Sequence, residues 1–287
     1  MAAAAAVPAD RSAPLGLAAP LGLFFAVFVL LPLLLLAFVS TYADTSMAAH
    51  GMHQYTRFLG DAFNRGVLLG TLSLGLQVTV LSLLLGLPLA YAYTLVPARW
   101  QGLLMLLIVL PLLTSAVVRT FAWVVILGRQ GIINTSLLHL GWIDDPLRLL
   151  YTQGAIVIAL TQIELPLMVL PLITALLNID PNLRQASLAL GAGHWRTLWQ
   201  VTLPLAVPGL LAGSLLVFAS SVSAFVTQTL VGGGQNILMP FYMYQQAIQA
   251  NDYPFAAAIA VLLLVSVLVV VTLVNTLGRR ARGFVHA

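Results

Sequence analysis

The chain has 287 residues, 61% of them hydrophobic and only 7% charged, with a mean hydropathy of +1.02. A soluble domain averages about a quarter charged residues, so this composition excludes an ordinary soluble fold. The absence of cysteine excludes disulfides and thiolate metal sites, and because all twelve basic residues are arginine there is no lysine for a phosphate-binding P-loop. The net charge of +4 is spread over loops and makes no nucleic-acid footprint.

A bilayer crossing needs roughly 20 apolar residues for a ~30 Å core. Six stretches qualify, at 21–40, 66–96, 102–127, 152–177, 205–231 and 255–277. Backbone groups in lipid must bond internally, so the expected fold class is an all-α polytopic membrane protein of six transmembrane helices. Residues 1–14, rich in alanine and proline, are expected to form a disordered cytoplasmic tail, and 281–287 a second one. The run at 21–40 exceeds the roughly 7–15 residues of a signal-peptide core and is read as a retained span. In the loop after it, His50 and His53 are three residues apart, but with only Asp44 nearby no metal site is expected.

The second span holds Gly86 and Pro88, where a tilt or kink is expected. Gly66/Gly70 there, and Gly209/Gly213 in the fifth span, have the spacing that lets helices approach closely. Trp100, Trp123 and Trp142 fall near span ends, where indoles favour the interface. Gly232-Gly233-Gly234 has no following lysine and reads as a flexible loop.

Two ionisable residues lie in or near the spans, Arg119 and Glu164. Such side chains are costly in lipid and usually face a cavity or a partner. Glu164 either lines a translocation path and attracts a cation, or pairs with Arg119 to hold spans three and four together. Pro166 frees backbone groups beside it. Arg119 can snorkel outward, serve structure or, beside Trp123, act as a gate on the path, and Trp123, Phe225, Gln228 and Tyr242 are further candidates for lining it.

Arginine placement sets the expected orientation. With the N-terminus inside, the inner loops hold Arg11, Arg99, Arg184, Arg196, Arg279, Arg280 and Arg282, against Arg57, Arg65, Arg129 and Arg148 outside. Both termini and the polar insert 178–204 are thereby expected on the cytoplasmic side. In that insert Asp180 is placed to cap a helix, Pro181 takes its first position, and Gly191 supplies a left-handed stop after Leu183, Ala186 and Leu190. A second short helix is expected over 194–202, with Pro204 and Pro208 bending the chain back into the membrane. Ala186 and Ser187 would lie on the surface of this compact knob, where small side chains permit close docking.

The insert resembles the cytoplasmic loop of ABC-importer permeases, whose pattern is E-A-A, three residues, G, nine residues, I-x-L-P. Here it reads Gln185-Ala186-Ser187, three residues, Gly191-Ala192 and, nine residues after the glycine, Val201-Thr202-Leu203-Pro204. Arg119-Thr120-Phe121-Ala122-Trp123, Gly131-Ile132-Ile133-Asn134, the segment from Leu165 to Leu172, and Phe225-Val226-Thr227 look like the spermidine/putrescine branch of that family. The likeness covers roughly 15–280, the expected permease domain. It implies a type I ABC importer permease fold in a bacterial inner membrane and a non-enzymatic subunit. It also implies a separate cytoplasmic ATPase dimer that uses ATP-Mg, a second permease chain and an extracytoplasmic solute-binding protein. No cofactor is expected on this chain. Gln185 replaces the motif's glutamate and Ser187 its second alanine, so any contact needing that negative charge is absent. Opine and aminoethylphosphonate importers share parts of the pattern and stand as alternatives, and an ion-coupled secondary transporter is the rival outside the family.

Overall fold

In a computed structural model, which describes residues 20–283, six helical stretches are long and apolar enough to cross a membrane. The first helix, α1 (Pro20–Val39), contains a π-helical turn at Ala26–Leu30 just ahead of Pro32. A wider turn before a proline makes room for a ring that would otherwise meet the carbonyl four residues back. A short α2 (His53–Gly60) precedes α3 (Ala62–Leu95). The Asp61 carboxylate starts α3 by accepting the Phe63 N–H at 2.9 Å. At ~1.5 Å per residue the 34 residues of α3 reach about 50 Å, so the helix tilts or projects beyond the hydrocarbon.

The chain continues through α4 (Ala98–Leu113), α5 (Ala116–Leu127) and α6 (Ile132–His139). It then runs through α7 (Gln153–Leu177), α8 (Pro181–Ala189) and α9 (His194–Ser223). It ends in α10 (Phe225–Gly232), α11 (Met239–Tyr244) and α12 (Tyr253–Gly283). Between α5 and α7 the buried Asn134 fastens the loop. Its amide donates to the Gly128 and Leu147 carbonyls, both at 3.0 Å, and accepts the Leu147 N–H at 2.8 Å.

Helices α3, α7 and α9 form the core, with α7 the most buried of the spans. Leu74 and Val78, Leu160 and Leu172, and Ala206 and Val217 are among its fully buried contributions from the three helices. Glycine sets their separation. A Cβ on Gly209 would lie 2.4 Å from Ala175 Cβ and 2.6 Å from the Pro171 carbonyl, and one on Gly213 2.9 Å from the Met168 carbonyl. Gly86 of α3 meets Met168 in the same way, at 2.9 Å, and α3 remains one helix through Pro88. In contrast, none of the apolar window of α1 is buried within the chain. Its exposed leucines and phenylalanines suit hydrocarbon or another protein surface.

Four expectations are corrected. The stretch 102–127 is not one helix: a 3₁₀ turn at Leu110–Leu113 ends α4, and Ser115 starts α5 by accepting the Val117 N–H at 3.3 Å. The stretch 205–231 is broken at Ala224, whose ψ of 77° leaves the helical region between α9 and α10. No separate helix occupies 194–202. The chain runs unbroken from His194 into the fifth span, because a π-turn at Leu198–Thr202 again precedes a proline, Pro204. Gly66 and Gly70 have nothing within 4 Å of where a Cβ would stand, so only the Gly209/Gly213 pair makes close helix contact. The expected tail 1–14 and the end of the second, 284–287, lie outside the described residues.

Candidate functional site

Two regions concentrate polar side chains. The first lies within the spans, where α5, α7, α9 and α10 meet. Pro166 lacks the N–H that would satisfy the Gln162 carbonyl, and the opened turn is met from α5. Arg119 Nη1 donates to the Ile163 carbonyl at 3.1 Å, and one turn on, Trp123 Nε1 donates to Gln162 Oε1 at 3.1 Å. Arg119 therefore turns toward α7 rather than snorkelling outward. It does tie spans three and four together, but through backbone and not through Glu164. The one ion pair among the described residues is Arg57–Asp252 at 2.8 Å, far along the chain from either.

Glu164 is 6% exposed, with Ser220 of α9 and Arg119 as polar neighbours. Beside it the break at Ala224 turns polar groups inward. Gln228, 2% exposed, donates through Nε2 to the Ser221 carbonyl at 2.9 Å, and the Thr120 and Thr227 hydroxyls meet at 2.8 Å. Arg119 Nε, Gln228 Oε1 and Ser221 Oγ are buried without a partner among the described residues. Unused donors and acceptors at the junction of broken helices make a polar island within the apolar bundle. Phe225 belongs elsewhere: its ring packs against Tyr244 at 5.4 Å and lines an apolar groove of ≈ 610 Å³ with residues of α1 and α12. The sequence did not point to Gln162, Ser220 or Ser221, and it gave Thr227 only as part of a family-like segment. The available signal was the paired serines and the polar doublet around Ile163 inside otherwise apolar runs.

The second region is the insert. Asp180 accepts the Asn182 N–H at 2.9 Å, Pro181 opens α8, and Gly191 has φ +83°. The Ala192 N–H returns to the Ser187 carbonyl at 3.1 Å and the Gly191 N–H to Leu188 at 2.9 Å, closing the helix end around that glycine. Gln185 and Ala186 are exposed, while Ala192, Val201, Leu203 and Pro204 are half-buried. Ser187 departs from expectation: its hydroxyl turns inward to the Thr197 hydroxyl at 2.9 Å, fastening α8 to the start of α9. The apolar side chains Leu183, Leu190, Trp195 and Trp199 are exposed, Leu190 at 89%. The insert is thus a capped helix with exposed leucines, braced on a membrane helix.

Six apolar stretches, three of them forming the core, with broken spans and one polar insert, define a multi-pass membrane protein. Comparison with known proteins narrows the class. The chain belongs to the family described as binding-protein-dependent transport system inner membrane component, which matches residues 17–283. It is 34% identical over 241 residues to the spermidine/putrescine transport system permease protein PotB of Escherichia coli (strain K12), covering 83% of this chain and 87% of that protein. It is also 36% identical over 211 residues to the molybdenum transport system permease protein ModB of Mycobacterium bovis, covering 71% of this chain and 74% of the relative. The fold matches a bacterial alginate ABC transporter solved in complex with an alginate pentasaccharide-bound periplasmic protein, with TM-score 0.76, 18% identity, and coverage of 94% and 95%. The chain is thus an ABC importer permease of the bacterial inner membrane, a transport subunit and not itself the ATP-hydrolysing one.

Proposed function

We infer that this permease carries polyamines of the spermidine and putrescine type. The observation that supports this most is the likeness to PotB, which runs through the bundle and not the insert alone. The chemistry of the polar island agrees with it. Glu164 is buried, close to broken helices, and not neutralised by a direct ion pair, so a protonated amine is a suitable counter-charge. Arg119, Trp123 and Gln228 would line the same path, while Phe225 lies in the apolar groove with α1 and α12 and drops out of it. The likeness to ModB supports the permease role without supporting the amine, so the ligand rests on the island and on PotB.

The insert 178–204 would face the cytoplasm and dock into a separate ATPase dimer, with both termini on that side. Gln185, Ala186, Gly191 and Leu203-Pro204 hold the positions of the docking motif. ATP-Mg would be bound by that dimer, a second permease chain would complete the pore, and an extracytoplasmic binding protein would deliver the solute. The ATPase's closing motion, applied to a rigid α8, would switch the packed helices between outward and inward access. The test is reconstitution in proteoliposomes with the cognate ATPase, second permease and binding protein. ATP-dependent spermidine uptake, competed by putrescine, is expected. ATP-dependent uptake of another solute with no response to either amine would overturn the ligand.

A further inference from the structure

Arg184 is the one charged side chain of α8, and it points away from the exposed docking face. Its Nη2 donates to the Leu176 carbonyl at 3.4 Å, and its guanidinium carbon lies 6.0 Å from the centre of the Tyr91 ring. Leu176 is in the last turn of α7 and Tyr91 in the last turns of α3, so one side chain from the insert reaches two of the three core helices. Helix C-termini leave carbonyls without intrahelical partners and carry partial negative charge, which favours a cation there. Asp180 does not compete for it, since its carboxylate caps α8 through the Asn182 N–H.

Both contacts sit at the outer limit for their kind, and Nε is buried with no partner among the described residues. A guanidinium stays charged, so this donor remains open to an acceptor that a small shift of α8 would bring in. We propose that Arg184 is a positioning residue that transmits movement of α8 to the inner ends of α3 and α7, its contacts tightening in one access state and loosening in the other. Docking onto the ATPase is then a separate task, left to the exposed Gln185, Ala186 and Leu190. The proposal rests on α8 being the ATPase-coupled element.

The readout is solute taken up per ATP hydrolysed by the reconstituted complex, compared for wild type, Arg184→Leu, Arg184→Lys and Tyr91→Leu. Arg184→Leu is expected to assemble with the ATPase, keep hydrolysis, and lower uptake per ATP by about 5-fold or more, the lower end of usual coupling. Arg184→Lys should restore part of the ratio, because it keeps a cation for the carbonyl and the ring. Tyr91→Leu should lower it, and the Arg184→Leu/Tyr91→Leu pair should be less than additive. A wild-type ratio in assembled Arg184→Leu overturns the proposal. So does loss of assembly in Arg184→Leu with an unchanged ratio in Tyr91→Leu, which would make the contact only structural. Failure of the wild-type complex to couple uptake to ATP would instead remove the ATPase-coupled reading itself.

Discussion

Glu164 is the one glutamate in the sequence, and it sits near the middle of the most buried span, two residues before a proline. Keeping a carboxylate there costs stability unless something answers it, and Arg119 answers a carbonyl instead. Glu164→Gln keeps shape and hydrogen bonding but removes the charge. We expect polyamine KM to rise about 10- to 100-fold, from ~1.5–3 kcal/mol for a hydrogen bond to a charged group, with the complex still assembled. Unchanged uptake kinetics would take Glu164 off the path. Thr120 and Thr227 raise a different question. Thr120 already donates to the Ala116 carbonyl at 2.8 Å, so Thr227 is the donor between them. Thr120→Val would orphan a buried hydroxyl and cost about 0.6–2 kcal/mol. The melting temperature in detergent should fall, and Thr120→Val/Thr227→Val should recover part of the loss.

Among the elements, α7 and α9 are held at glycine distance. Gly213 has backbone as its neighbour, which cannot rotate away as a side chain does. Gly213→Leu should destabilise by about 1–3 kcal/mol or more through overpacking, lowering the yield of monodisperse protein. Gly66→Ala should stay within about 0.5 kcal/mol of wild type, since its Cβ would enter open space. Equal effects of the two would mean that Gly66 is packed by a partner chain. The recurring π-turn before Pro32 and Pro204 shows how α1 and α9 pass proline without ending. At Ala224 no such turn forms, and the broken helix exposes the carbonyl that Gln228 takes up.

For the whole molecule, the arrangement in the membrane is the property to test. The lack of cysteine makes any introduced thiol unique. In cells with a permeabilised outer membrane but an intact inner one, an impermeant maleimide should label Asp144→Cys and not Ala186→Cys. Both residues are exposed, and disruption of the inner membrane should then open position 186 to the reagent. Labelling of 186 from outside would invert the orientation and remove the insert from any cytoplasmic ATPase. The apolar surface left uncovered on α1, with the groove beside Phe225, is suited to lipid or another protein surface.

The sequence by itself determined the membrane class, the number of spans and the start and stop of α8. These depend on local quantities: apolar run length, an Asp-Pro cap, and a glycine at a left-handed position. Its motif spacing also pointed to the family, because the loop pattern is carried by short-range spacing along the chain. The breaks at 114–115 and 224 were hidden, since an apolar run reads the same whether or not its helix is continuous. Partners were hidden as well. Only the tertiary structure aims Arg119 at Ile163 rather than Glu164, turns Ser187 to Thr197, and separates the packed glycine pair from the open one. A side chain's partner depends on which helix faces it across the bundle, and that is set by the packing of α3, α7 and α9 as a whole.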